Sequence, residues 1–260
     1  MNFICQKNAL KELDMLRLTD RHSVLVEGPS GCGKTYLAMQ YAKMLNISDF
    51  QVIAPKVDAI KSAIDNCLEF NESVVLCIEN LDTGVPGASY ALLKFLEEPL
   101  PNTYIVVTCR NLKRVPDTIV SRSAVVVTSP PVDSDLTTFA MNSKQEQFSK
   151  IKMSKLWKCV STFQDVDTVL SMNSAQLTYF SNLSVLATFR DTVSNIVWNL
   201  GHYPDNSETP VELVIRYIMK CVNTPYMYKI GIECLNDLAL KRVATHAVLA
   251  KFAFQAKYCE

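Results

Sequence analysis

The stretch of the chain most able to do chemistry is Gly28-Pro29-Ser30-Gly31-Cys32-Gly33-Lys34-Thr35. It satisfies the spacing G-x-x-x-x-G-K-[ST] at every specified position, the pattern of a phosphate-binding loop. Glycines at 28, 31 and 33 let the backbone curl so that several N–H groups face one concavity, which suits phosphate oxygens. A helix beginning at the end of such a loop adds its positive end. Lys34 is long enough to reach the β- and γ-phosphates, and the Thr35 hydroxyl is placed to ligate Mg²⁺. Residues 28–35, with Tyr36 just beyond, are therefore the expected nucleotide-binding set, with Mg²⁺ the expected metal.

The flanks set this loop in the context it requires. Ser23-Val24-Leu25-Val26-Glu27 before it is short and apolar enough for a buried strand, and Tyr36 to Leu45 repeats Leu37, Ala38, Tyr41, Ala42 and Leu45 along one helical face. Asn8 to Leu18 reads as an amphipathic helix, Phe50 to Ile53 as a short strand and Asp58 to Glu69 as a helix. Val74 to Ile78 is an apolar run ending in Glu79-Asn80-Leu81-Asp82. A buried parallel strand that delivers acids at its C-terminal end is what a P-loop protein uses to hold Mg²⁺. A helix over Ser89 to Leu96, a strand over Tyr104 to Thr108 and a strand over Ala124 to Val127 complete the alternation, which predicts a parallel sheet covered on both faces. Ser129-Pro130-Pro131 breaks the pattern. Beyond it the sequence reads as helical: Leu136 to Phe148, Lys152 to Phe163, and longer stretches over 177–200, 210–222 and 228–258, parted by the polar loop Gly201 to Thr209 and by Thr224-Pro225. The expectation is an α/β half followed by an all-α half.

Composition narrows the classes. Of 260 residues, 48% are apolar, ample for a packed core, and the formal net charge is zero, so any nucleic-acid contact must use a local patch. No apolar run is long enough for a membrane span, and the N-terminus lacks a basic-then-apolar signal pattern, which points to the cytoplasm. The nine cysteines fall singly with no C-x-x-C pair, as expected of buried reduced thiols. His22 has no acid or nucleophile near it in sequence and is expected to be a loop residue.

Four segments in order carry a resemblance. Ala91-Leu92-Leu93-Lys94-Phe95-Leu96-Glu97-Glu98-Pro99 is very similar to a signature of bacterial sliding-clamp loader subunits, the AAA+ proteins of the γ/τ and δ′ type. Ser121-Arg122-Ser123 resembles their Ser-Arg-Cys motif, Ile4-Cys5-Gln6 their Gln-bearing N-terminal box, and Arg21 to Pro29 the lead-in to their P-loop. The resemblance covers roughly residues 3–128. It implies an AAA+ module over residues 1–130, a helical lid over 131–173 and a C-terminal helical collar for oligomerisation over 174–260. It also implies other clamp-loader subunits, a sliding clamp and primer–template DNA as partners. Arg122 would act in trans, reaching a neighbouring subunit's nucleotide as an arginine finger does.

The departures carry information too. Counting back without gaps from Ala91 sets Glu79 where the family has its metal-holding Asp and Asn80 where it has the water-orienting Glu. Glu79 can still serve Mg²⁺ with Thr35, but Asn80 cannot accept a proton. Arg110 falls at sensor 1, with Thr108 and Asn111 nearby; Lys155 or Lys158 would have to stand in for a sensor 2 arginine. Only Cys67 lies where bacterial subunits carry a zinc module, which with the short chain suggests a compact, viral-like version. Lys56 and Lys61 are candidates for DNA backbone phosphates, and Val85, Pro86 and Tyr90 for the clamp. Two readings follow: a clamp-loader subunit, or an AAA+ subunit that binds ATP to hold an oligomer together with little hydrolysis.

Overall fold

The computed structural model describes residues 6–19, 21–70, 73–186, 211–222, 225–239 and 245–257. The chain divides into two compact units, residues 1–135 and 136–260. The break follows a little after Ser129-Pro130-Pro131.

In the first unit the elements run α1 (Lys7–Leu16), β1 (Ser23–Glu27), α2 (Lys34–Met44), β2 (Asp49–Ile53), α3 (Val57–Phe70), β3 (Val74–Ile78), α4 (Pro86–Glu97), β4 (Thr103–Cys109), α5 (Asp117–Val120) and β5 (Ala124–Val127). All five strands are parallel, in the order β2-β3-β4-β1-β5. Parallel strands need helical crossovers, and the crossovers cover both faces of the sheet. Alternate residues of the central strands β1, β3 and β4 accordingly feed two separate cores. Leu25, Leu76, Ile78, Ile105 and Val107 pack with Ile60 and Ala63 of α3 and with Ala88, Leu92 and Phe95 of α4. Val24, Val26, Val75, Cys77 and Val106 pack with Ala9 and Leu13 of α1 and with Leu37, Ala38, Tyr41 and Ala42 of α2. The expected α/β half is therefore present: the central strands β1, β3 and β4 are buried on both sides, while the edge strands β2 and β5 are partly exposed.

The second unit is helical over its described residues: α6 (Asp133–Ile151, entered from the first unit), α7 (Phe163–Ser171), α8 (Ser174–Leu186), α9 (Val211–Val222), α10 (Pro225–Ala239) and α11 (Thr245–Lys257). α6 is interrupted at Lys144, whose φ of −149° and ψ of 75° lie outside the helical region. α9 buries Val211, Leu213, Val214, Ile215, Tyr217, Ile218 and Met219, apolar around most of its circumference, as a central helix must be. A Cβ on Gly231 of α10 would stand 2.2 Å from the Met219 sulfur, so glycine permits the close approach of α9 and α10.

One expectation fails here. Lys152 to Phe163 is not a helix but a turn and a short 3₁₀ segment, Trp157–Cys159. The reason is a capping box. The Thr162 hydroxyl accepts the Asp165 N–H at 3.1 Å, and the Asp165 carboxylate accepts the Thr162 N–H at 3.0 Å, so the helix starts at Phe163 rather than ending there. The same carboxylate takes both Nη atoms of Arg216 on α9 at 2.8 Å, a bidentate pair that ties α7 to α9. Residues 187–200, the loop 201–209, Ile4, Cys5 and Thr224 lie outside the described residues.

Candidate functional site

The sheet register brings the sequence-predicted residues to one edge. Glu27 pairs with Cys109 and Ile78 with Val107, so the C-terminal ends of β1, β3 and β4 are neighbours. Ligands of open parallel sheets bind at such an edge. The P-loop leaves β1 there, Glu79 and Asn80 leave β3, and Arg110 leaves β4.

The loop itself is held from beneath. Gly28 N–H donates to the Cys109 carbonyl at 3.1 Å. Gly31 and Gly33 adopt φ of 70° and 92°, the left-handed region where a side chain would be strained, and Gly33 caps α2. Gly28 is not in that region. Its glycine is required by crowding, since a Cβ there would meet the Thr128 hydroxyl oxygen at 1.7 Å. That hydroxyl donates to the Glu27 carbonyl at 2.9 Å and lies 3.0 Å from Cys32 Sγ. Pro29 and Ser30 are exposed at the rim of the loop. Gln6 joins the N-terminal segment to this edge: its side chain donates to the Ser129 carbonyl at 2.5 Å and accepts the Ser129 N–H at 3.1 Å.

Lys34 is buried, and its ammonium donates to the carbonyls of Gly28 at 2.8 Å and Pro29 at 2.7 Å. Burial lowers its pKa below the ordinary lysine value, Arg110 lowers it further, and Asp82 pulls it back upward. The Thr35 hydroxyl donates to Glu79 Oε1 at 2.5 Å. These two oxygens are the pair expected to hold Mg²⁺, and a hydroxyl with a carboxylate is a suitable donor set for that hard cation. Among the described residues no group of three or more His, Cys, Asp or Glu is placed to hold a metal ion. Tyr36 follows in the first turn of α2, half-buried.

Asn80 occupies a left-handed turn, φ 48° and ψ 51°, and its N–H donates to the buried Thr108 hydroxyl at 2.9 Å. Thr108, rather than Arg110, is thus the β4 residue bonded to the end of β3. Arg110 is exposed but close enough for its charge to act on Lys34. Asn111 caps the short turn after β4 by accepting the Lys113 N–H at 3.0 Å. Sequence reasoning gave Asp82 no role. In the structure its Oδ1 is buried without a hydrogen-bond partner and its charge acts on Lys34 and Cys109. The signal was available in Glu79-Asn80-Leu81-Asp82, which sets a second acid just past the C-terminal end of a buried strand.

Arg122 lies away from this edge, in the turn between α5 and β5 that precedes the N-terminal end of β5. Arg122 is thus at the opposite end of the sheet from its own chain's P-loop. Ser123, at the position where the resembling motif has Cys, is buried and shares a 2.8 Å hydrogen bond with the Ser23 hydroxyl. Lys56 and Lys61 are both exposed near the start of α3, and Lys61 lines a groove of about 470 Å³ with Asp65, Lys94 and Glu98. Val85 and Tyr90 are 56% and 73% exposed and so are not core packing; Pro86 starts α4. Lys155 and Lys158 are exposed residues of the second unit. The described cysteines are unpaired, and burial pushes Cys77 and Cys109 up to about 12, which leaves them inert. His22 is a structural residue: its Nδ1 is 3.0 Å from the Thr103 carbonyl and its ring stacks on Tyr104 at 4.9 Å. Among the described residues no helix is long and apolar enough to cross a membrane.

Comparison with known proteins agrees with this architecture. Residues 46–131 match the family described as DNA polymerase III, delta subunit. Among solved structures, a DNA polymerase III gamma subunit-related protein from Thermotoga maritima superposes with a TM-score of 0.56 at 13% identity, covering 96% of this chain and 99% of its own. The RuvB Holliday junction branch migration motor of the same organism gives 0.54 at 16% identity, covering 98% and 88%. At these identities the superpositions speak for the fold. No curated protein sequence matches the chain. The family match spans residues 46–131, and the two superpositions extend the likeness in fold over nearly the whole chain.

Proposed function

We propose that this chain is an ATP-binding subunit of a DNA polymerase sliding-clamp loader, acting in DNA replication by helping to open the clamp and load it on primer–template DNA. The observation that carries nucleotide binding is the Thr35–Glu79 contact beside the P-loop, which joins the two halves of a Mg²⁺-phosphate site in one place. Bound ATP·Mg²⁺ would supply a charged phosphate chain whose presence favours one ring arrangement. The loop N–H groups and Lys34 would hold the phosphates, with Lys34 exchanging its bonds to the Gly28 and Pro29 carbonyls for phosphate oxygens. Thr35 and Glu79 would hold the metal.

The clamp-loader role rests on the match over residues 46–131 and on the Leu-Leu-Lys-Phe-Leu-Glu-Glu-Pro and Ser-Arg-Ser segments. In this reading residues 131–173 form the lid and 174–260 the collar, and Lys155 or Lys158 stands in for a sensor 2 arginine. Arg122 serves a neighbour's site in trans. Exposed Lys56 and Lys61 meet DNA backbone phosphates, and Val85, Pro86 and Tyr90 meet the clamp. The protein works in the cytoplasm, or in a viral replication complex within a bacterial host.

A second reading is favoured by Asn80: an AAA+ subunit whose ATP holds an oligomer together with little or no hydrolysis. Both are tested by copurification of the tagged full chain in ATP. Recovery of a sliding clamp together with a DNA-dependent ATPase subunit supports the first reading. A homo-oligomer with neither supports the second, and a monomer in ATP with no clamp affinity contradicts both.

A further inference from the structure

α4 ends in two carboxylates, Glu97 and Glu98, although the C-terminal end of a helix carries partial negative charge and disfavours acids. Glu97 has a partner that offsets this. Its Oε1 lies 2.8 Å from Arg122 Nη2. Nη1 of the same guanidinium donates to the Thr118 carbonyl at 2.9 Å. The turn beneath is also fixed, because Arg122 N–H donates to the Ile119 carbonyl at 3.1 Å and Ser123 is bonded to Ser23 of β1. Beside the pair is a cavity of about 280 Å³ lined by Arg21, Ser23, Glu97, Pro99 and Arg122 among others. Two guanidiniums and one carboxylate line it, so the cavity has a surplus of positive charge.

We propose that Glu97 is a positioning residue. It holds the Arg122 guanidinium against this cavity so that the phosphate end of a neighbouring subunit's nucleotide meets Arg122 and Arg21 together. This rests on the reading of Arg122 as a trans arginine. An unheld arginine has much rotamer freedom to lose on binding a phosphate. Two fixed hydrogen bonds remove that freedom beforehand, and of the five N–H donors of a guanidinium they use only two. The pair does little for stability, since its side chains are 36% and 52% exposed and ion pairs of that kind contribute hardly anything to folding. The Leu-Glu-Glu-Pro and Ser-Arg-Ser segments, separate in sequence, thereby form one device.

The test uses the complex that copurifies with the full chain. The affinity of the chain for its ring neighbour is measured with a non-hydrolysable ATP analogue and with ADP, alongside the neighbour's ATP turnover. Arg122→Ala should abolish the gain in affinity of the ATP state over the ADP state. Glu97→Ala should reduce that gain about threefold to tenfold, leave the ADP-state affinity and melting temperature unchanged, and lower kcat without altering KM. Glu97→Gln, which still accepts a hydrogen bond, should restore most of the gain, and Arg21→Ala should lower it. A flat response to Arg122→Ala overturns the trans-arginine reading itself. Full loss with Arg122→Ala beside a wild-type or enhanced gain in Glu97→Ala overturns the positioning role alone.

Discussion

Gly28→Ala tests how the P-loop is seated on the sheet. The new Cβ would lie 1.7 Å from Thr128 Oγ1, 3.0 Å from Thr128 Cβ and 3.2 Å from Cys32 Sγ. Favourable contact between heavy atoms begins near 3.5 Å, so roughly 2 Å must be recovered at the hydroxyl. No small shift supplies that, and Thr128 must leave its place. Overpacking of this kind costs about 1–3 kcal/mol. Moving the hydroxyl also breaks its bond to the Glu27 carbonyl, worth about 1 kcal/mol. That carbonyl keeps the Thr128 N–H at 2.8 Å, so it is not left bare and the larger penalty of an orphaned group is avoided. The expected loss is about 2–4 kcal/mol in urea unfolding, with a melting temperature lower by roughly 5–10 °C. Binding of ATP·Mg²⁺ should weaken as well, because Thr128 is bonded to Glu27, the last residue of the strand that carries the loop. Thr128→Ala alone should cost about 1 kcal/mol, yet combined with Gly28→Ala it should give a double variant more stable than Gly28→Ala, a favourable coupling of about 1–2 kcal/mol. Gly28→Ala within about 0.5 kcal/mol of wild type, or no rescue by Thr128→Ala, would refute the crowding argument.

Three further outcomes are expected. Asp165→Ala should destabilise the second unit by about 3–5 kcal/mol in denaturant unfolding, since it strands the Arg216 guanidinium and removes the α7 cap. Burial alone would raise the Asp165 pKa, but the Arg216 hydrogen bond and charge outweigh it and hold the carboxyl below its ordinary value. The unfolded chain therefore takes up this proton first, so the stabilisation is present above about pH 4 and is lost as pH falls through the lower folded value; Asp165→Ala should flatten the acid limb of stability against pH. Asn80→Glu should raise ATP turnover by about 10²-fold or more if residue 80 faces the attacking water, and unchanged turnover would remove it from that position. Reversing charge at Lys56 and Lys61 together should weaken DNA binding by the assembled complex uniformly across sequences and reduce the salt slope by about 2; unaltered binding would assign both to solvent.

The first unit was largely legible because its signals are local. The P-loop must be contiguous to curl around phosphate, and strands buried on both faces must be short apolar runs such as Val74–Ile78. The resemblance set Thr35 and Glu79 at one metal site, and the two side chains, 44 positions apart, do meet in the fold. What stayed hidden depends on pairs distant in sequence or on a single local bond. Lys152 to Phe163 has helical spacing of apolar residues, yet the capping box at Thr162 and Asp165 starts the helix after it. The Asp165–Arg216 pair spans 51 positions and no periodicity announces it. Gly28 fits the motif as a phosphate-loop glycine, but the atom that excludes a side chain there belongs to Thr128, known only once β5 is paired beside β1. Asp82 sat in view beside Glu79, and only its buried, unpartnered oxygen marks it out.

The central claim is a nucleotide-holding loop whose own hydrolysis is limited by Asn80. Its most direct test is equilibrium binding of ATP·Mg²⁺ to the purified full chain, with turnover followed in the same samples. The account predicts saturable, Mg²⁺-dependent binding that Lys34→Ala abolishes, with turnover close to background until complex partners and DNA are added. Brisk turnover by the isolated chain, or no binding at all, would contradict it.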